Sequence, residues 1–546
     1  MDFPGVSAYA RKAYGDTGLW DGELLDEYLT RCAAARPDAL AIVDGDVRIS
    51  YRELAQRVRA VAAGLRGLGV GRGDVVSMQL PNWWETTVIH FAAISIGAIS
   101  NPTMPILRDR DLGFMVGSAG AKVLIVPAQY RRHDHGSMAL RLMPELAALQ
   151  QVVTVRGQCA GALTFEDLLA CAPGGGAAEP GRSADDPVVL LYTSGTESSP
   201  KGAVHSHNTL GYENRSMIEL YDLTDDDVIW APSPIAHITG VLFALHLPTM
   251  IGSPVVLQDV WDPSVALELI ESEHATFVVA ATPFLHGLVY HPRRTEFDLT
   301  SLRVFVCGGA DVPPSLIADA DSALAVKAVR LYGSTEIPTV TSSAADAPLN
   351  RRASTDGKAI AAAEIVVVDD DGKLVPAGTT GLIRARGPEA MLGYLGMDRN
   401  PFDVQGWFDT GDLGRLDANG YLTVVGRSKD IILRGGENIS AKEVEDLLLS
   451  HPSIADIAVV AMPDARLTER ACAVVVLRPG ATLELSDLAA HLSSLLVAKQ
   501  KFPERLEFID ELPRTPTGKV QKFVVRQWVL GRLNAIPLNE ASSAPR

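Results

Sequence analysis

Val188-Val189-Leu190-Leu191-Tyr192 runs without a break into Thr193-Ser194-Gly195-Thr196-Glu197-Ser198-Ser199-Pro200-Lys201-Gly202. The first five residues are apolar or aromatic, the composition of a strand buried on both faces. Hydroxyls, a glycine and a lysine follow. A turn of that kind at a strand end offers backbone N–H groups and an ammonium to anionic oxygens, the field that holds phosphate. Five residues separate Gly195 from Lys201, and Gly202 follows, so the spacing is not that of a Walker loop. A mononucleotide kinase or motor ATPase is therefore disfavoured. Read alone, the segment also fits a polar surface turn.

Before this stretch, helix and strand signals alternate. Ser50 with Glu53 forms a capping-box pattern, followed by Leu54, Val58, Val61, Leu65 and Leu68 at helical spacing. Residues 74–80 read as a strand, 84–99 as a largely buried helix and 122–126 as a further strand. The rhythm returns near 277–281 and 304–307, which implies parallel sheets covered by helices. Residues 172–181 are rich in Pro, Gly and Ala and read as a surface linker. The last hundred or so residues change character. Ser440 with Glu443 opens a helix carrying Val444, Leu447 and Leu448. Strands at 455–460, 473–477 and 505–509 and a helix from Ser486 complete a small α+β unit, joined to the rest near 426–430. Residues after Ala535 read as a loose tail. The expected class is α/β, a large N-terminal part of several subdomains with parallel-rich sheets, followed by this small α+β domain.

Composition bounds what such a chain does. With 546 residues, 47 % hydrophobic and 21 % charged, it is neither disordered nor low in complexity. A net charge of −17 argues against a uniformly basic nucleic-acid binder. Five scattered cysteines without paired metal spacing point to a reducing cytoplasm and buried thiols. The first residues lack the basic and apolar regions of a signal peptide. The longest apolar stretch, 86–99, is interrupted by His90, Ser95 and Gly97, too short for a membrane span.

Four further motifs follow the loop in order. They are Tyr332-Gly333-Ser334-Thr335-Glu336; Gly406-Trp407-Phe408-Asp409-Thr410-Gly411-Asp412; Gly426-Arg427-Ser428-Lys429-Asp430 with Gly435-Gly436-Glu437-Asn438-Ile439; and Pro513-Arg514-Thr515-Pro516-Thr517-Gly518-Lys519. Together they resemble the signature motifs of the adenylate-forming superfamily, the group of acyl-CoA synthetases, peptide-synthetase adenylation domains and luciferases. The resemblance covers essentially the whole chain. It implies a reaction in which a carboxylate joins the α-phosphate of ATP, pyrophosphate leaves and the acyl group passes to a thiol. Both reactants are anionic, so charge must be neutralised and the attacking oxygen aligned.

Roles follow from the resemblance, position by position. Thr193, Ser194, Gly195 and Lys201 hold the β- and γ-phosphates. Glu336 offers an oxygen ligand for Mg²⁺, with Thr196 as its hydroxyl neighbour. Gly309 and Ala310 form one wall of the adenine site and Tyr332 stacks on the other, with Gly333 and Thr335 beside it. Asp412 accepts from the ribose hydroxyls, and Arg427 holds ribose or phosphate. Lys519 contacts the carboxylate and α-phosphate as charge develops. Lys429 is the hinge dividing residues 1–428 from a mobile lid, 429–546, and Gly435-Gly436 line the pantetheine channel. ATP, Mg²⁺ and CoA are the implied cofactors.

The acid itself is less sharply drawn. Ser233-Pro234-Ile235-Ala236-His237-Ile238-Thr239-Gly240 resembles the segment beside the carboxylate site, where His237 gates or orients substrate or serves the fold. Leu80-Pro81-Asn82-Trp83-Trp84-Glu85 and Asn101-Pro102-Thr103-Met104-Pro105-Ile106 resemble the subgroup that includes cyclohexanecarboxylate-CoA ligases. The tryptophan pair reads as core rather than ligand. An apolar acid, cyclic ones included, is the implied substrate. One departure stands out: Glu197-Ser198 replaces a common Thr-Gly, placing a carboxylate near a triphosphate. It reads as tolerated variation. The alternatives are an enzyme that mainly transfers a preformed acyl-adenylate, one that loads a separate carrier protein, and a non-catalytic scaffold. Retention of Lys201, Glu336, Asp412, Arg427 and Lys519 opposes the last. A homodimer stays open.

Overall fold

A computed structural model describes residues 3–171, 181–193, 200–309, 311–397, 400–434, 437–464, 466–515 and 518–535. The chain divides into two compact units: Met1–Ile365 with Ala385–Phe408, and Val366–Arg384 with Asp409–Arg546.

In the first unit, six short strands lie side by side and parallel. In spatial order they are Lys327–Tyr332, Val304–Cys307, Phe277–Ala280, Ile229–Ala231, Val255–Leu257 and Leu40–Asp44. Phe277, Val278, Phe305 and Val306 are fully buried, as runs without alternation require when helices cover both faces. A second sheet places Ala121–Pro127, Val75–Met78, Ile99–Pro102 and Pro187–Thr193 in parallel. Lys201–Ser206 and Gly393–Tyr394 then extend its edge antiparallel.

The helix Tyr51–Gly67 opens with the expected reciprocal cap: Ser50 N–H donates to Glu53 Oε2 at 2.9 Å, and Glu53 N–H to Ser50 Oγ at 3.3 Å. Trp84–Ser95 is buried almost all round. It ends four residues earlier than its apolar run suggests. Gly97 sits at φ +75°, which breaks the helix and lets Ile99–Pro102 enter the sheet as a strand. Trp83 is buried and Trp84 packs edge-on against Phe165, so both tryptophans belong to the core. Residues 172–180 of the expected linker lie outside the described residues.

The second unit contains most of a four-stranded sheet ending in the antiparallel pair Phe408–Leu416 and Leu422–Arg427. It then builds an α+β body. Thr468–Leu477 pairs antiparallel with Ile454–Asp464 and parallel with Arg505–Phe508, and Ile431–Arg434 and Glu437–Ser440 complete the sheet. Residues alternate strictly between two small cores. Ile457, Val459 and Val475 face Val444, Leu448, Leu488 and Leu492, whereas Ala458, Val460 and Val474 face Val525 and Val529 of the helix Lys522–Ala535. All five cysteines are unpaired, and burial pushes the Cys307 and Cys472 thiols up to about 12. Among the described residues no helix is long and apolar enough to cross a membrane.

Candidate active site

Three loops leave the carboxyl ends of the parallel strands of the first unit, where open α/β sheets bind their ligands. Ile229–Ala231 leads into 233–240, Val304–Cys307 into Gly308-Gly309, and Lys327–Tyr332 into Gly333–Glu336. The latter two strands are adjacent, with Cys307 opposite Arg330, so the glycine pair and Tyr332 emerge side by side. Gly309 has φ +77° and open space about its Cα, whereas Ala310 lies outside the described residues.

The turn after Tyr332 is closed tightly. A Cβ on Gly333 would stand 1.5 Å from the carbonyl oxygen of Pro338. Ser334 Oγ accepts from the N–H groups of Glu336 (3.2 Å) and Ile337 (3.3 Å). The carbonyl of Thr335 accepts from His205 Nε2 at 2.7 Å. That contact requires the proton on Nε2, and full burial holds His205 down at about 4, so the ring is neutral. His205 belongs to Lys201–Ser206, so this bond ties the Glu336 turn to the strand that carries Lys201.

The strands that flank the expected phosphate loop are hydrogen-bonded to each other. Pro187–Thr193 and Lys201–Ser206 pair antiparallel, with Thr193 opposite Lys201 and Tyr192 opposite Gly202. Ser194, Gly195, Thr196 and the Glu197-Ser198 departure lie outside the described residues. The Lys201 ammonium sits 5.3 Å from the ring centroid of Tyr394, whose hydroxyl donates to Glu336 Oε1 at 2.7 Å. A cation and a carboxylate oxygen thus flank one tyrosine. Among the described residues no cluster of three or more His, Cys, Asp or Glu is arranged for a metal. A magnesium ion carried on a triphosphate needs none, since phosphate oxygens and water fill most of its sites and one carboxylate suffices. Glu336 meets that requirement.

His237 caps the helix that starts at Ile238; its Nδ1 accepts from Thr239 N–H at 3.3 Å, which leaves the proton on Nε2. Its loop is riveted from below by Asn82. The amide Nδ2 donates to the carbonyls of Ala231, Ser233 and Gln258 at 3.1, 2.8 and 3.2 Å, and Oδ1 accepts from Ile235 N–H at 2.9 Å. Gly240 packs on the Pro234 carbonyl, which a Cβ would approach to 2.1 Å.

The remaining expected residues lie in the second unit. Asp412 and Arg427 are opposite partners across their strand pair, with Arg427 Nε 3.2 Å from Asp412 Oδ1. Ser428 Oγ donates to Gly411 O at 3.0 Å, and Lys429 follows in the short turn Ser428–Asp430. Gly435-Gly436 lie outside the described residues. Lys519 closes a small loop in which Arg514 bridges Val520, Thr515 N–H donates to Lys519 O at 2.7 Å and Lys519 N–H to Thr515 Oγ1 at 3.1 Å. Ion pairs brace both ends of that loop: Arg514 with Asp456 at 2.5 Å and Lys522 with Glu445 at 2.8 Å.

Sequence reasoning passed over Tyr394, His205 and the roles of Asn82 and Glu445. Tyr394 occupies a two-residue strand, too short for any period to reveal.

Residues 29–395 match the AMP-binding enzyme family, and residues 443–519 match the AMP-binding enzyme C-terminal domain. The chain belongs to the AMP-binding enzyme family. It is 38 % identical over 530 residues to the medium-chain fatty-acid–CoA ligase of Escherichia coli, covering 96 % of this chain and 93 % of that one. It is 33 % identical over 541 residues to the 2-hydroxy-7-methoxy-5-methyl-1-naphthoate–CoA ligase of Streptomyces carzinostaticus, covering 94 % of each. The fold matches the anthranilate CoA ligase AuaEII in complex with anthranoyl-AMP at a TM-score of 0.87, with 26 % identity, over 96 % of this chain and 99 % of that one. The protein is an ATP-dependent acid–thiol ligase of the acyl-CoA synthetase type, acting through an acyl-adenylate.

Proposed function

We propose that the chain activates an apolar carboxylic acid, cyclic acids included, with MgATP and transfers the acyl group to free CoA. The observation that carries this reading is the convergence of the His237 loop, Gly308-Gly309 and Tyr332–Glu336 at the carboxyl end of one sheet. The helix opened by His237 continues with Ile238, Val241, Leu242 and Phe243, all buried and apolar, so the carboxylate side of the site backs onto hydrocarbon. The relatives named above act on a fatty acid and on aromatic acids.

In the first step a carboxylate oxygen attacks the α-phosphorus and pyrophosphate leaves. Thr193, Lys201 and the loop residues Ser194, Gly195 and Thr196 hold the β- and γ-phosphates. Glu336, with Thr196, binds the Mg²⁺ that arrives with ATP. Tyr332, with Gly333 and Thr335 beside it, and Gly309 with Ala310 bind adenine; Asp412 and Arg427 hold ribose. His237 presents Nε2–H to a substrate carboxylate oxygen. Lys519 neutralises charge on the carboxylate and α-phosphate, lowering the barrier for the meeting of two anions. In the second step the CoA sulfur attacks the acyl carbon, AMP leaves and the thiol proton is released. Residues 429–546 turn about Lys429 between the steps, exchanging Lys519 for the Gly435-Gly436 channel.

The test is incubation with ATP, Mg²⁺, CoA and a panel of acids, with AMP and acyl-CoA followed by mass spectrometry. Acyl-CoA from medium-chain or cyclic apolar acids supports the reading. Product only from a synthetic acyl-adenylate, or acyl transfer only to a carrier-protein thiol, overturns it.

A further inference from the structure

Tyr394 is held between Lys201 and Glu336, which the proposed function assigns to the triphosphate and to its Mg²⁺. Its strand pairs with that of Lys201, Ala203 standing opposite Tyr394. Backbone bonds on either side fix it there: Leu392 N–H to Val204 O and Leu395 N–H to Gly202 O, each at 2.8 Å. One step upstream, Met391 N–H donates to the carbonyl of Glu336 itself at 2.8 Å. The side chain repeats the backbone connection. Its hydroxyl reaches Glu336 Oε1 at 2.7 Å and its ring lies 5.3 Å from Lys201 Nζ.

We propose that Tyr394 is a positioning residue of the MgATP site, its hydroxyl fixing one oxygen of Glu336 while its ring seats the Lys201 ammonium. The proposal rests on the reading of Glu336 and Lys201 given above. Magnesium demands near-ideal octahedral geometry, so a carboxylate that swings is a poor ligand. A phenol donating to Oε1 stops that rotation with a charge-assisted bond and leaves Oε2 to serve as the ligating oxygen. An ordinary phenol loses its proton only near about pH 10, so the hydroxyl is a donor throughout the physiological range. The ring face contributes a second restraint, attracting the ammonium through its quadrupole without neutralising it. Simple packing is the competing explanation, because Tyr394 also lies against the small apolar cluster of Ala203, Ile337 and Met391.

Tyr394→Phe separates the two explanations, since it keeps the packing and the ring and removes only the hydroxyl. The readout is Mn²⁺ binding to the enzyme–ATP complex, followed by electron paramagnetic resonance, beside calorimetric ATP binding without metal. The expected result for Tyr394→Phe is a loss of Mn²⁺ affinity of roughly tenfold with metal-free ATP binding unchanged. Tyr394→Leu should add a loss of about threefold in metal-free ATP binding. Tyr394→Phe with parental Mn²⁺ affinity, while Glu336→Gln loses it, overturns the proposal and leaves the reading of Glu336 standing. Parental Mn²⁺ affinity in Glu336→Gln overturns both.

Discussion

Asp412 and Arg427 stand opposite one another on antiparallel strands, with Nε 3.2 Å from Oδ1. Asp412 N–H also donates to Thr410 Oγ1 at 3.1 Å, and Thr410 in turn donates to Ile383 O at 2.8 Å. The carboxylate is therefore already oriented for the ribose contact proposed for it. Asp412→Ala should erase the preference for ATP over 3′-deoxy-ATP, which in the parent is about tenfold or more. Ratios of kcat/KM for the two nucleotides check this, and a preference that survives the substitution removes Asp412 from the ribose site.

Lys519 serves adenylation alone if it neutralises charge on the carboxylate and α-phosphate. Lys519→Ala should slow acid-dependent ATP–pyrophosphate exchange by about 10²–10³-fold and leave transfer from synthetic acyl-adenylate to CoA nearly unchanged. Glu445→Gln, which loosens Lys522 at the end of the same loop, should reduce the exchange more modestly and in that half alone. Equal losses in both half-reactions contradict the role of the loop.

The bond from His205 Nε2 to Thr335 O carries no substrate yet holds the turn of Glu336. His205→Ala leaves a buried carbonyl unpaired, at a cost of about 1–3 kcal/mol. The expected outcome is a lower melting temperature with a raised KM for ATP. His205→Gln, whose amide reaches toward the Nε2 position, should recover much of both. An unaltered KM in His205→Ala shows the bond to be purely structural.

Buried titratable groups set the pH range of the first unit. Burial holds His90 and His207 down at about 3 and His205 at about 4, with His246 also far below its ordinary value. The unfolded chain titrates them near about 6.5. Between those values it binds more protons than the native state, so their contribution is complete above about pH 6.5 and drains as pH falls toward about 3. Glu213 and Glu389 act in the opposite sense. Burial raises Glu213 to about 8, and burial with the Glu213 charge raises Glu389. Native protons are held there, and stability declines as pH rises from about 4.5 through about 8. Scanning calorimetry across this range should show a maximum near about pH 6.5, and Glu389→Gln should flatten the alkaline limb and steepen the acid limb above about pH 4.5. An unchanged alkaline slope in that variant refutes the assignment.

Gly333→Ala and Gly309→Ala should differ sharply. The first drives a methyl to within 1.5 Å of the Pro338 carbonyl oxygen, and the second meets open space and only an unfavourable φ of +77°. ATP binding by calorimetry should vanish in the first and weaken by about tenfold or less in the second. Comparable affinities would show that the Gly333 turn yields at little cost.

The legible parts of the fold are those with a strong local signal. The Ser50–Glu53 cap, the buried strand through Tyr192 and the strands of the small α+β unit all follow from local sequence. Lys201–Ser206 escaped because the phosphate-loop motif draws Lys201-Gly202 into the turn, and only the pairing with Pro187–Thr193 reveals a strand. The helix Lys522–Ala535 carries apolar residues on more than one face: Val525, Trp528, Val529 and Leu533 pack on the sheet while Phe523 and Val524 are exposed, so its sequence does not single out the buried side. Its place is set by the sheet it covers. In the candidate site, motifs mark the residues proposed to meet substrate, whereas Tyr394, His205 and Asn82 contact their segments from distant parts of the chain. No local pattern encodes such contacts.

Acid labelled with oxygen-18 in both carboxyl oxygens follows the bond on which the whole mechanism depends. If a carboxylate oxygen attacks the α-phosphorus, the AMP released during acyl-CoA synthesis carries a single oxygen-18 atom, read by mass spectrometry. Unlabelled AMP, or label found in pyrophosphate or in phosphate, would contradict an acyl-adenylate pathway for this chain.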